Sequence, residues 1–422
     1  RDQPRSRGLG DVYKRQTMNS GWQNIDYGGT GTINTMSGGQ QTVKSGGAGT
    51  IGTMSSGMQE ISSGGTGTVV TMTSGEQNIY SDGTGTVSTM NDGGQYITSG
   101  TGTISTMSGG YQEISSGTGT VSTMSGGEQN IYSGGTGTIS TMSGGLQGII
   151  SGGAGTVSTM NGGLQLVENG GSGIVSTLSG GTQMIVDQGS GTIGTMSGGS
   201  QMISSGGTGT VDIMSGGMQD ISSGGTGTVN TMSGGGQRIS SGIGTVSTMS
   251  GGVQLIESGA AGTISAMNGG VQYVQNGGTA LDTVIAGGTQ LVSVGAVISG
   301  ATLSAGIQQV YDGANLNNIT FAGGTQAVMS GATVSGMQVA NGVQSVASGG
   351  SVADTVVGTD GSLQINSGGI VSDLTLTSGS LDLENIDGGS FTVSGTLTAN
   401  DAVINMVDSN VTVSYTHLRA HE

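Results

Sequence analysis

Enzymatic chemistry needs a base, a nucleophile or a ligand set, and this chain offers few of them. It has no cysteine and two histidines, His417 and His421, both in the last six residues. A Ser–His–Asp or Cys–His arrangement therefore has no imidazole along almost the whole chain. A zinc site built on His or Cys fails for the same reason. A stripe of thioethers, Met36, Met54, Met72, Met142 and Met232 with Leu178 in one place, could suggest soft-metal or redox chemistry. Its regular spacing instead marks a flexible side chain filling one corner of a narrow core. No catalytic residue, metal or cofactor is assigned, and the chain is expected not to be an enzyme.

Two further ligand readings fail or stay minor. The phrase "GGTGTVSTM" looks like a calcium-binding nonapeptide, but Val121 and Ile139 stand where that motif carries its aspartate. Without the carboxylate a hard cation lacks its oxygen ligands. The "TGT" pairs, such as Thr136 and Thr138, could form a flat ice-binding ladder. Thr is also an ordinary strand former beside a turn, and Gly137 between the two suggests that Thr136 belongs to the corner.

What positions these groups is a repeat. A glutamine returns at Gln23, Gln41, Gln59, Gln77, Gln95, Gln112, Gln129 and on to Gln344, with Gln364 as the final marker. The spacing is 18 residues, with three intervals of 17 and a last one of 20. Two residues after each comes Ile or Val, except after Gln364, where Asn366 stands. The short intervals lose a residue beside the Gly pair, which a turn tolerates and a strand does not. "SGG" is therefore a corner, and "xQxIx" and "GTVSTM" are strands. Short strands between glycine corners predict an all-β parallel β-solenoid of about 20 coils of about 18 residues, on the order of 95 Å long. Period-2 alternation puts Gln129 with Ile131 on the inner face, stacking the glutamines as an amide ladder. An outward glutamine stripe stays open as the rival.

Composition agrees with this narrow design. Of 422 residues 92 are Gly, and aromatics make up 3%, too few large apolar side chains for a conventional core. The formal net charge of −17 disfavours nucleic acid and anionic membranes as partners. Between residues 17 and 413 the only cations are Lys44 and Arg238. The tails, with "DVYKRQ" and "SYTHLRAHE", resemble translated adaptor sequence. Residues 1–16 and 414–422 are thus expected to be non-native, around solenoid repeats at 17–370 and a less regular continuation at 371–413.

The outward positions vary from coil to coil, and an outer binding stripe of Trp22, Tyr80, Tyr96, Tyr111 and Tyr132 is the candidate site. A varied face on a repeated scaffold suits recognition or self-association; a drifting solvent face has the same appearance.

The phrases "SGGTQ", "GGTQLV", "SGGTGTV" and "NGGTALDTV" resemble the repeats of AIDA-type autotransporter adhesins, over about residues 17–370 and most closely in 271–350. The resemblance implies a right-handed parallel β-helix, exported and displayed on the surface of a Gram-negative bacterium. It implies adhesion to host receptors or to like copies on neighbouring cells, with aggregation and biofilm growth. Membrane attachment would come only through a translocator outside this fragment. Some members carry heptose on Ser or Thr; the matching positions here are Ser88, Ser105, Ser122, Ser140 and Ser158. The alternative is a stalk or surface filament that presents another domain.

Overall fold

The structure, a computed structural model, describes residues 12–384, 392–406 and 418–420. It is all-β, a parallel β-solenoid of about 20 turns with about 18 residues per turn. The chain divides into two compact units, Arg1–Asp212 and Ile213–Glu422.

One coil of the first unit shows how the sequence folds. The strand Glu128–Ile131 carries the glutamine, and the strand Thr136–Met142 carries the "TGTISTM" phrase. Each strand pairs in parallel and in phase with its copies: Gln129 lies beside Gln112 and Gln147, and Ile139 beside Val121 and Val157. The corners are paired from coil to coil as well, with Ser143 N donating to Met124 O at 2.9 Å and Leu146 N to Gly127 O at 3.0 Å. In this stretch the backbone polar groups find their partners in the coils on either side, which is what lets so thin a core persist.

Alternation within Glu128–Ile131 buries Gln129 and Ile131. In Thr136–Met142 it buries Gly137 and Ile139, then slips over Ser140 and Thr141 so that Met142 returns to the interior. Gly137 is thus a strand residue facing the core, which corrects the assignment of Thr136 to a corner. A Cβ on Gly137 would stand 2.3 Å from Ile131 Cδ1 and 2.8 Å from Gln129 Oε1. The two strands are that close, and only glycine leaves room for the glutamine opposite. Gly134 is needed for a different reason. A Cβ there would meet only Ser116 Cβ at an uncrowded 3.7 Å, but the φ is +83°, closing the turn in which Gly135 N donates to Tyr132 O at 2.9 Å. The 17-residue coils are shortened in this turn, as the spacing predicts. Gln95 still faces Gln112, and Thr101 still faces Thr118.

The glutamines point inward, fully buried. Gln129 Nε2 donates to Gln112 Oε1 at 2.6 Å, and Gln147 Nε2 donates to Gln129 Oε1 at 2.7 Å. Within each unit the bonds of the ladder run in this one direction, from each amide to that of the coil before it. A buried amide would cost several kcal/mol unpaired; stacked, each satisfies its neighbour and polarises it.

The second unit begins in the same style, with Gln237 Nε2 donating to Gln219 Oε1 and Gln254 Nε2 to Gln237 Oε1, both at 2.7 Å. Where the wording loosens, the single threonine strand becomes two, Thr279–Leu281 and Val284–Ile285. Between them Asp282 takes the left-handed conformation, φ 45°. The methionine column continues as Ile285, Leu303 and Phe321.

Gln364 is not the last rung of the ladder. In the strand Ser351–Asn366, Leu363 lies beside Gln344 and Ile365 beside Val346, while Gln364 pairs with Ser345 and is half-buried. The register is shifted by one residue because burying Leu363 and Ile365 is better than burying Gln364 and Asn366. The ladder therefore ends at Gln344, whose Oε1 has no partner; Gln23 Nε2, in the first unit, has none either. Beyond this point Ser380–Glu384 pairs with the end of the strand Ser351–Asn366, and Asp382 accepts hydrogen bonds from Ser362 Oγ at 2.5 Å, Ser380 Oγ at 3.1 Å and Asn405 Nδ2 at 2.6 Å.

Two strands involve the tails set aside above. Val12–Met18 pairs in parallel with Thr30–Met36, and Leu418–Ala420 pairs with Leu397–Ala399. The remainder of those tails, including His417 and His421, lies outside the described residues.

Candidate binding face

On the outer side of the glutamine sheet the side chains form three rows: before the glutamine, after it, and beyond the Ile or Val. In the first unit the row before the glutamine runs Trp22, Gln40, Met58, Glu76, Gly94, Tyr111. The row after it runs Asn24, Thr42, Glu60, Asn78, Tyr96, Glu113. Tyr80 and Tyr132 each follow the buried isoleucine of their coil and stand in the third row. The five aromatic residues thus belong to three rows rather than one stripe.

Only Tyr96 and Tyr111 meet. Their rings stand edge to face, centroids 5.2 Å apart at 70°, and their hydroxyls are hydrogen-bonded to each other. Gly94 makes this possible: a Cβ there would lie 2.5 Å from Tyr111 Cε2, so the ring rests on bare backbone. Burial, the Tyr111 hydroxyl and the Glu76 and Glu113 carboxylates push the Tyr96 phenol well above its ordinary pKa. Burial, then Glu113 and Glu128, raises Tyr132 as well. Both remain neutral hydrogen-bonding groups across the physiological range.

Between Trp22 and Tyr111 runs a groove of about 680 Å³. Its floor is the glycine corner column Gly39, Gly57, Gly75 and Gly93, and its sides carry Gln40, Met58, Glu76 and Asp92 with Ser56 and Ser74. Trp22, the chain's single tryptophan, is 55% exposed. Sequence reading placed Trp22, Gln40, Met58, Glu76 and Tyr111 in the varied outward position before the glutamine, but missed the corner residues Ser56, Ser74, Asp92 and the glycines that complete the groove. The signal was there, since every lining residue belongs either to the corner or to the position before a glutamine.

In the second unit, Tyr273, Leu291, Ser293, Val294 and Tyr311 surround a smaller apolar hollow of about 310 Å³. Arg238 donates to Glu257 at 2.7 Å, an exposed ion pair of the kind worth little to stability. Burial raises the pKa of Asp220 in the same region, against the pull of Arg238.

The serines nominated for modification form a column on the other strand, each following a buried Val or Ile. Ser105, Ser122, Ser140 and Ser158 are exposed, and Ser88 is half-buried. Among the described residues no three His, Cys, Asp or Glu side chains gather into a metal-binding group.

No family model matches the chain, and no curated protein matches it. Among solved structures, it is similar to a crystal structure of a TibC-catalysed hyper-glycosylated TibA fragment, at 24% identity and a TM-score of 0.20, covering 94% of this chain and all of that one.

Proposed function

We propose that this chain is part of a surface-displayed passenger of a Gram-negative autotransporter, acting as a non-enzymatic adhesin. It would bind like copies on neighbouring cells, or a host receptor, through many weak contacts repeated along the coils. The observation that carries this reading is the contrast between the two sides of the glutamine strand. Its inner positions repeat Gln and Ile or Val coil after coil, while the outer rows change and expose Trp22 and half-expose Tyr80, Tyr96, Tyr111 and Tyr132. The AIDA-like wording of the repeats supports the same reading. Exposed Ser105, Ser122, Ser140 and Ser158 would be the acceptors of any O-linked sugar, with Ser88 the least accessible. A bare-chain intact mass for protein made in its native host would remove that assignment.

The test is settling. The chain is fused to a generic translocator and displayed on non-aggregating bacteria, with display confirmed by surface labelling. Clearing of the culture that depends on the chain and is lost when the outer-row aromatics are replaced supports self-association. Cells that neither settle nor bind host cells show that the chain is a stalk.

A further inference from the structure

We infer that the groove between Trp22 and Tyr111 is a binding site for a neutral oligosaccharide of about five pyranose units. The inference rests on the reading of this face as the contact surface and names the ligand class of one part of it.

The two ends of the groove are aromatic. Five coil steps separate Trp22 from Tyr111 along one row, about 24 Å at the spacing of neighbouring strands. Trp22 is the more exposed of the two. Tyr111 is held rigidly by its hydroxyl contact and edge-to-face packing with Tyr96, over the bare backbone of Gly94. A pyranose presents a face of C–H groups that stacks on such rings, while its hydroxyls need acceptors at the sides. Glu76 and Asp92 supply carboxylates, and Gln40, Ser56 and Ser74 supply an amide and hydroxyls. An extended pyranose chain advances by a step comparable to one coil, so successive sugars would meet successive coils.

Other occupants fit worse. Glu76 and Asp92, with Glu60 bound to Gln40 Nε2 at 2.5 Å, repel a polyanion. A peptide strand finds no free edge here, because the corner amides are already committed: Gln40 N donates to Gly21 O, Gly94 N to Gly75 O and Tyr111 N to Gly93 O, at 2.9, 3.0 and 3.0 Å. An apolar helix finds no apolar floor, since the base of the groove is glycine backbone.

Trp22 is the sole tryptophan and so a built-in reporter. The full chain is titrated with glucose, cellobiose, cellopentaose and chitopentaose while Trp22 emission is followed. The expected result is a saturable shift whose affinity rises with chain length up to about five units. Tyr111→Ala keeps the reporter and should weaken pentamer binding roughly fivefold, leaving any disaccharide response unchanged. Its far-UV circular dichroism should match that of the parent, confirming the fold. The proposal is overturned if no neutral pentamer shifts Trp22 emission, if glucose binds as tightly as a pentamer, or if Tyr111→Ala leaves pentamer affinity intact. Oligolysine is titrated alongside, and a response confined to it would also overturn the proposal and assign the groove to a basic peptide. Settling is scored separately, so displayed cells that settle without a sugar response would sink this inference alone.

Discussion

The glutamine ladder makes a prediction about additivity that few buried residues allow. Gln129→Leu removes one acceptor and one donor from a chain of amides that all point the same way. Gln112 Oε1 loses its donor and Gln147 Nε2 loses its acceptor, and both atoms stay buried. Two orphaned groups cost about 2–6 kcal/mol together, and the added apolar burial of Leu returns about 2 kcal/mol. The net loss should be about 2 kcal/mol. The double variant Gln129→Leu with Gln147→Leu still strips the ladder partner from only two atoms, Gln112 Oε1 and Gln165 Nε2, and the latter keeps its bond to Ile174 O at 3.3 Å. It should therefore cost about the same as the single change. Pairing Gln129→Leu with the distant Gln77→Leu strips two further ladder partners, from Gln59 Oε1 and from Gln95 Nε2, which keeps only a long bond to Gly85 O at 3.4 Å, and should cost close to twice as much. The assay is guanidinium unfolding of the full chain followed by far-UV circular dichroism, compared by midpoint because repeat arrays need not unfold in two states. If the adjacent double costs twice the single, the energy lies in each glutamine's own packing and the ladder argument is wrong.

Two other perturbations follow from the same geometry. Gly137→Ala places a methyl 2.3 Å from Ile131 Cδ1 and should lower stability by about 1–3 kcal/mol. Gly134→Ala meets only Ser116 Cβ, at an ordinary contact distance of 3.7 Å, but keeps a left-handed φ and should cost only about 1 kcal/mol. Equal midpoints for the two would refute the crowding at Gly137. Asp382 should make stability fall in acid. Burial alone would raise its pKa, but the bonds from Ser362, Asn405 and Ser380 outweigh that and hold it below the usual carboxylate value. The stability it contributes is thus fully present above about pH 3.9, its unfolded value, and is lost as pH falls through the lower folded one. Asp382→Asn should flatten that part of the midpoint-versus-pH curve below about pH 4; superimposable curves for the two proteins would refute the assignment.

Much of the architecture could be read directly from the chain. The 18-residue period, the corners at "SGG", the tolerance of one missing residue at 17-residue intervals and the buried Ile and Met columns all follow from glycine chemistry and strand alternation, which are local properties. Alternation also put each glutamine on the Ile face, yet left an outward stripe open. The tertiary structure closed that choice, because Gly137 stands across from Gln129 and frees the volume an amide needs, while the coil before it supplies the acceptor. Gln364 shows the reverse. Its residue type copied the repeat, but a one-residue shift buried Leu363 and Ile365, a competition between registers that spacing alone does not decide. The candidate site was legible in its row of residues before the glutamine, Trp22, Gln40, Met58, Glu76 and Tyr111, and not in its corner residues. That Gly94 seats the Tyr111 ring against Tyr96, and that glycine corners line the space between Trp22 and Tyr111, are facts of coil-to-coil register. Sequence by itself determined what each coil is, because a coil is built from near neighbours. Only the stacking of coils decided which side chains meet, because those contacts join residues 17 or 18 positions apart, and their partners are set by how each coil lies on the next.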